Sequence, residues 1–453
     1  MNAESLIKKF ENKASIVQFN QVSNEKEALI QRNNELLSFI KSSSESYGVR
    51  MLVNGGWGLS ATTIKKDIPK LFDKSYKLAL NASKNIRNKT VLKELSFNKC
   101  VVKSDAKINP FLKSDEEKIK LIGDINKYYT YPEIKNVETT IIFSRGKSTT
   151  INSLGSNIKQ ERDFSEMVSH VVGGANLEET AMIKRGKLGF ELFNMFNIES
   201  EIKKTEEKLK RLINAKNVNC GNYNIIIDPE MGGLFFHEAV GHALEADNLR
   251  EKGTCLALNE KVGPDFLTLY DDPTIPHLWG SYVFDDEGIK SKPSMLIDKG
   301  VVVNFINDLS SYYDIDGLKK TANGRMDNPL AIPIPRMSNT VVEKGSMKKD
   351  ELIHELKNGL LVSGSIGGAV DSLTGIFSFK AEEAFVIKEG EEIESLKGVT
   401  LSGDLKKLMK NIRHVGNEYG DGLMGGFCGK KGQRVPVSDM VPYLLVEGVS
   451  VGN

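Results

Sequence analysis

Hydrophobic and polar positions change period several times along this chain, and those changes predict its elements. The stretch SIVQFNQVS (15–23) alternates with period 2, as a strand with one buried face does. Between 25 and 41 the apolar residues Ala28, Ile30, Leu36, Leu37 and Ile40 fall at helical spacing, so a helix is expected there. YGVRMLVNGGWGLSAT (47–62) reads as two strands joined by a turn at Gly55-Gly56. Helical patterns follow at 65–87, where Pro69 marks an early turn or a kink, and at 115–128. The opening residues, MNAESLIKKFENK, predict a short amphipathic helix.

Period 2 returns from about 137 to 174. VETTIIFSRGKSTTINSLGS fits a hairpin turning near Arg145-Gly146-Lys147, with a third strand at 165–172. The highly charged helix expected at 198–215 reads as a linker or bridging helix, a solvated spacer rather than a coiled-coil seam. After Lys216 the character shifts. YNIIIDPEMGG is a strand and turn, LFFHEAVGHALEAD a helix, and most of the rest short strands broken by Gly, Pro, Asp and Asn. Two further helices are expected at 348–358 and 403–413. The sum is an α+β fold in three parts. A mixed N-terminal α/β domain (1–130) precedes a central β-rich segment with a linker helix (131–216), and a β-rich C-terminal domain (217–453) carries the chemistry.

Charge and cysteine usage narrow the function. Sixty-one basic residues against sixty acidic ones leave a net charge of +1, which gives no footprint for nucleic acid. No run approaches the ~18 apolar residues of a membrane span, and the N-terminus lacks the apolar stretch of a secretory signal. A soluble cytoplasmic protein is expected. Cys100, Cys220, Cys255 and Cys428 are scattered without CxxC pairing, so they read as free thiols or metal ligands.

FFHEAVGHALEAD (235–247) is the most informative stretch. Zinc peptidases place two histidines at i and i+4 of one helix with a glutamate between them as general base. Here the second histidine comes one residue later: His237, Glu238, then His242. Five residues of a regular helix turn about 500°, which would leave the two rings about 140° apart. A π-bulge at the permissive Gly241 would bring them together; otherwise the pair is a coincidence of a histidine-bearing amphipathic helix. Glu245, Asp247, His277 and Cys428 are all candidates for the third ligand; a His/His/Cys set with an open fourth position makes a reasonable catalytic zinc site.

These residues sit among others that form a pattern. HEAVGHALEAD, DDPTIPHLWGSYVFDDEG (271–288), NPLAIPIPRMSNT (328–340), GGAVDSLTGIFSFKAEEAFVIKEGE (367–391) and GLMGGFCGKKGQRVPVSDMVPYLLVEGVSVG (422–452) resemble, in that order, the TldD/PmbA family of metallopeptidases. The resemblance is specific over roughly 220–453 and departs at Ala243, where the family usually carries glycine. It implies zinc held by His237, His242 and Cys428, with Glu238 as the base. It also implies dimers that enclose the site in a chamber and take unfolded or precursor peptides as an added strand. The dimer would be a homodimer or a heterodimer with a PmbA/TldE-like subunit lacking the motif. The intact motif here marks the catalytic TldD-like kind. Two other functions compete: a catalytically idle subunit that shapes a peptide channel, and a non-peptidase zinc amidohydrolase. Outside the motif, His170, His277, His354 and His414 are expected to pack or face solvent, and Asp285-Asp286-Glu287 to form a turn. Arg325 and Arg336 would brace strands or bind substrate.

Overall fold

Long antiparallel strands build the first half of the molecule. The structure, a computed structural model, describes residues 3–86, 90–92 and 97–453; residues 1–2 of the first expected helix and residue 87 of the second lie outside them. Four strands, Ile16–Arg32, Glu35–Val53, Ile134–Asn152 and Asn157–Gly173, form the body of a sheet. Gly56–Thr62 extends it at one side, and Glu178–Gly186 and Lys99–Val102 at the other. The turn between Val53 and Gly56 is the one the Gly55-Gly56 pair predicts. Helix Ile68–Asn85, with its proline in the first turn, packs Leu71, Phe72 and Ala79 against Val17, Phe19, Tyr47 and Val49. Gly58 allows that contact, since a Cβ there would meet Ala79 N at 2.3 Å.

Two expectations fail here for a common reason. The helix over 25–41 is instead a hairpin that turns at Asn33, whose φ is 49°. Glu25 to Ile30 pair with Ser38 to Ser43 on one side and with Thr140 to Arg145 on the other, and this double ladder overrides helical spacing. Arg145-Gly146-Lys147 is no turn but the middle of a strand, paired with Glu25 to Ser23 and with Asp163 to Glu161. The strand expected at 165–172 is the second half of Asn157–Gly173. Because Ile16–Arg32 pairs with Ile134–Asn152, strand pairing crosses the division expected at residue 130. Of the two readings for the charged helix, Ile198–Asn214 is the bridge and not the solvated spacer. It buries Ile202, Leu209 and Leu212, and Arg211 pairs with Glu383 at 2.7 Å, which ties it to the second half.

The second half holds a ten-stranded sheet in which Gly221–Ile227 lies between Pro442–Gly452 and Gly359–Ser363. A six-stranded sheet ends on the edge strand Gly426–Lys430. The helices Lys349–Leu356 and Leu405–Lys410 stand where the sequence predicts them. The fold is α+β, with a β-rich C-terminal region. Asp285-Asp286-Glu287 does turn, yet it is no surface turn: Glu287 is buried and pairs with buried Arg50 of the first sheet at 2.7 Å. Among the described residues no helix is long and apolar enough to cross a membrane.

Candidate metal centre

The strand Gly221–Ile227 feeds a short helix, Pro229–Leu234, capped by the Asp228 side chain, which accepts from Met231 N. The helix then widens. Phe235–Gly241 is π-helical, and the His242 N–H donates to the His237 carbonyl. That bond absorbs the extra residue of HExxxH and brings the two imidazoles to a centroid separation of 5.5 Å. Gly241 lets Met337 close over the widened turn: a Cβ there would lie 2.0 Å from Met337 Sδ. Phe235, Phe236, Ala239 and Val240 anchor the same turn in the core.

Cys428 arrives from the edge strand, 186 residues beyond His242, with Sγ 3.4 Å from His242 Nε2. Donor atoms of His237, His242 and Cys428 all lie within 4.8 Å of one another. A tetrahedral ion bonded at about 2.1 Å to nitrogen and 2.3 Å to sulfur would space those atoms roughly 3.6 Å apart. His237 is buried, and among the described residues neither of its ring nitrogens makes a well-formed hydrogen bond, the Asp439 carboxylate reaching Nδ1 only at 3.4 Å. Such orphaned buried nitrogens are rare unless another ligand claims them, so the three residues fit one metal ion. Burial pushes the Cys428 thiol up, but the adjacent His237 and His242 outweigh it and hold the thiol at about 5. The thiolate that binds soft cations is therefore favoured at neutral pH.

The other ligand candidates are used differently. Glu245 is fully buried, and its Oε2 accepts from His242 Nδ1 and from Lys430 Nζ, each at 2.9 Å. Burial would raise its carboxyl, yet His242 and Lys430 hold it down at about 2. Glu245 thus occupies the far nitrogen of His242 and leaves Nε2 facing Cys428, the arrangement by which a carboxylate orients a ligating imidazole. Asp247 takes up Lys430 at 2.6 Å and Lys431 at 3.2 Å. His277 stands outside the cluster of donor atoms.

Residues 220–453 match the model of the PmbA/TldA metallopeptidase C-terminal domain. The chain belongs to the TldD/PmbA metallopeptidase family. It is similar to a metalloprotease of Methanocaldococcus jannaschii, with 35% identity over 399 residues, 86% of this chain and 87% of that one. The zinc metalloprotease TldD homolog of Saccharolobus solfataricus is 26% identical over 429 residues, 90% of each chain. TldE from Thermococcus kodakarensis shares the fold, with a TM-score of 0.75, 20% identity and 100% of both chains covered.

In this TldD/PmbA-family chain Glu238 stands beside the cluster, its Oε2 3.7 Å from His242 Nε2. With His237 it lines a cleft of about 420 Å³. Asp439, which sequence reasoning passed over, borders the same cleft with Oδ1 3.4 Å from His237 Nδ1. Arg336 is wholly buried and donates to the Cys428 carbonyl, and Arg325 donates to the Met337 carbonyl, so both brace backbone. Lys430 also escaped notice. Its GKKG context gives a charge but no partner, because Glu245 lies 185 residues away.

Proposed function

We propose that this TldD/PmbA-family chain is a zinc-dependent endopeptidase of the catalytic TldD-like kind, acting in the cytoplasm on unfolded or precursor peptides. The observation that carries the proposal is the His237, His242 and Cys428 cluster with Glu238 beside it in an accessible cleft. A zinc ion held there would lower the pKa of a bound water to ~7 and polarise a carbonyl. Glu238 Oε2 takes the proton of the attacking water and returns it to the departing amine. Glu245, held by Lys430, keeps His242 in the tautomer and orientation that present Nε2 to Cys428.

The edge strand Gly426–Lys430 supports an extended mode of peptide binding. Among the described residues its outer side is unpaired, and it carries Cys428 itself. A peptide added to that edge gains main-chain hydrogen bonds whatever its side chains, which suits loosely selected substrates. The working unit is a homodimer, or a heterodimer with a PmbA/TldE-like subunit, that encloses the site.

Metal content and cleavage of casein, measured together, test the proposal. Wild type is expected to hold one zinc per chain and to cut. Cys428→Ala loses the metal, and Glu238→Ala keeps it but does not cut. Full zinc in Cys428→Ala would move the third ligand elsewhere. No zinc in the wild type, even when supplied at neutral pH, would overturn the proposal in favour of an idle subunit. Zinc without cleavage of any peptide would favour another amide substrate.

A further inference from the structure

From the metal-site cleft a trough continues between the two halves of the molecule. Arg185 and Phe427 border both the cleft and a neighbouring cavity, which shares Lys26, Phe164, Trp279 and Arg434 with a third cavity of about 460 Å³. Along one wall the rings of Phe164 and Trp279 lie 5.1 Å apart, and those of Trp279 and Phe427 5.6 Å. The far cavity is also rich in hydroxyls, among them Ser43, Ser44, Ser144 and Ser148.

Charge reverses along this trough. The cleft at His237 carries Asp228, Glu230, Asp421 and Asp439 against Arg185. The far cavity carries Lys26, Lys147, Arg162, Arg325 and Arg434 against Asp286 and Asp327. Lys147 has Glu161 at 3.7 Å. The other four cations have no carboxylate within 4.0 Å among the described residues. Arg325 is only 5% exposed, and a guanidinium so buried is costly without a counter-charge. It donates to the Met337 carbonyl and lies 5.0 Å from the Tyr282 ring, and the buried carboxyls of Asp286 and Asp271 interact with it without closing to an ion pair. Burial above all lowers its pKa, with Arg162 and Arg336 adding to the effect and Tyr282 and Asp286 opposing it. Negative charge brought into the cavity would offset the cost of that burial. Guanidinium forks and serine hydroxyls are suited to carboxylate oxygens.

We propose that this cavity is an anion subsite that selects peptides carrying a carboxylate, on a side chain or at the C-terminus, to one side of the bond to be cut. The proposal rests on the neighbouring cleft being the peptidase site. It adds a preference that strand addition, which reads only main chain, does not provide.

Fluorescence anisotropy on the full-length Glu238→Gln protein, which retains bound peptide, tests it. The labelled probes share one disordered sequence and differ in the tail. One ends in Asp and Glu with an amide terminus, one in Asn and Gln with an amide terminus, one in Asn and Gln with a free carboxylate, and one in Lys. The acidic tail or the free carboxylate is expected to bind roughly tenfold tighter than the neutral amide, and which of the two does so names the source of the charge. Charge reversal with Lys26→Glu and Arg434→Glu, both exposed, should turn the preference toward the lysine tail. Equal binding of acidic and neutral tails, or an acidic preference that survives charge reversal, would overturn the proposal. A failure of the peptidase reading registers separately, as wild-type protein that leaves every probe uncut while the tail preference persists.

Discussion

Cys428 and His242 enter metal binding from opposite protonation states. At neutral pH the thiol, held at about 5, has already lost its proton, whereas His242 is carried up to about 10 by Glu245 and Cys428 against the pull of burial. His237 is raised as well, by Asp439 and Cys428, again against burial. An incoming cation must displace those ring protons, so zinc affinity should rise between about pH 6 and pH 8, by about tenfold per unit for each proton displaced. Chelator competition across that range checks this, and a flat profile would mean neutral rings in the metal-free chain. The sign for folding is the reverse. Raised His242 stabilises the metal-free fold fully below its ordinary value of 6.5, and that contribution is lost as pH rises through about 10. At this scale residue types were legible and pairings were not. Glu245 looked like a ligand because it lies one turn after His242, and only Lys430, from the far edge strand, shows why it orients the ring instead.

One element decides whether the two histidines can meet. The π-helix Phe235–Gly241 is one of the two readings the spacing left open, because His237 and His242 stand five apart and only a widened turn puts them on one face. Its stability depends on what packs at Gly241, and Met337 comes from a distant strand approach that no local pattern reveals. Gly241→Val should therefore overpack this turn, costing roughly 1–3 kcal/mol, and should weaken zinc retention. Urea unfolding and metal content of the variant check both, and unchanged stability would show that Met337 swings aside. The strands over 25–41 failed at the same scale for a complementary reason. Their middle is polar, Glu25 and Lys26 are exposed, and the extended backbone of 25–32 is held by partner strands on both sides rather than by a buried face.

The halves of the molecule are joined through charge as well as packing. Arg50 of the first sheet and Glu287 of the second half form a buried pair at 2.7 Å, with the Arg50 guanidinium 4.3 Å from the Trp57 ring. Breaking one side of such a pair leaves the other charge buried and uncompensated, so Arg50→Met should cost about 3–5 kcal/mol. The double variant Arg50→Met/Glu287→Leu should recover most of that loss in chemical denaturation. A single variant as stable as wild type would sink the idea that this pair docks the halves. The trough with its anion subsite runs along the same junction, formed by residues from Lys26 to Arg434.

The sequence by itself determined what is local in its physics. Helix starts are marked by side chains a few residues apart, as with Ser114 and Glu117 at Asp115–Lys127, and the histidine spacing forms one ligand face only if the turn widens. The donor types needed for a soft metal site are likewise named in the chain. Only the tertiary structure decided which donors converge, where long polar strands run and which charges share a cavity. Those outcomes depend on contacts between residues over a hundred positions apart, such as Cys428 with His242 and Arg145 with Glu25, where no periodicity connects one partner to the other.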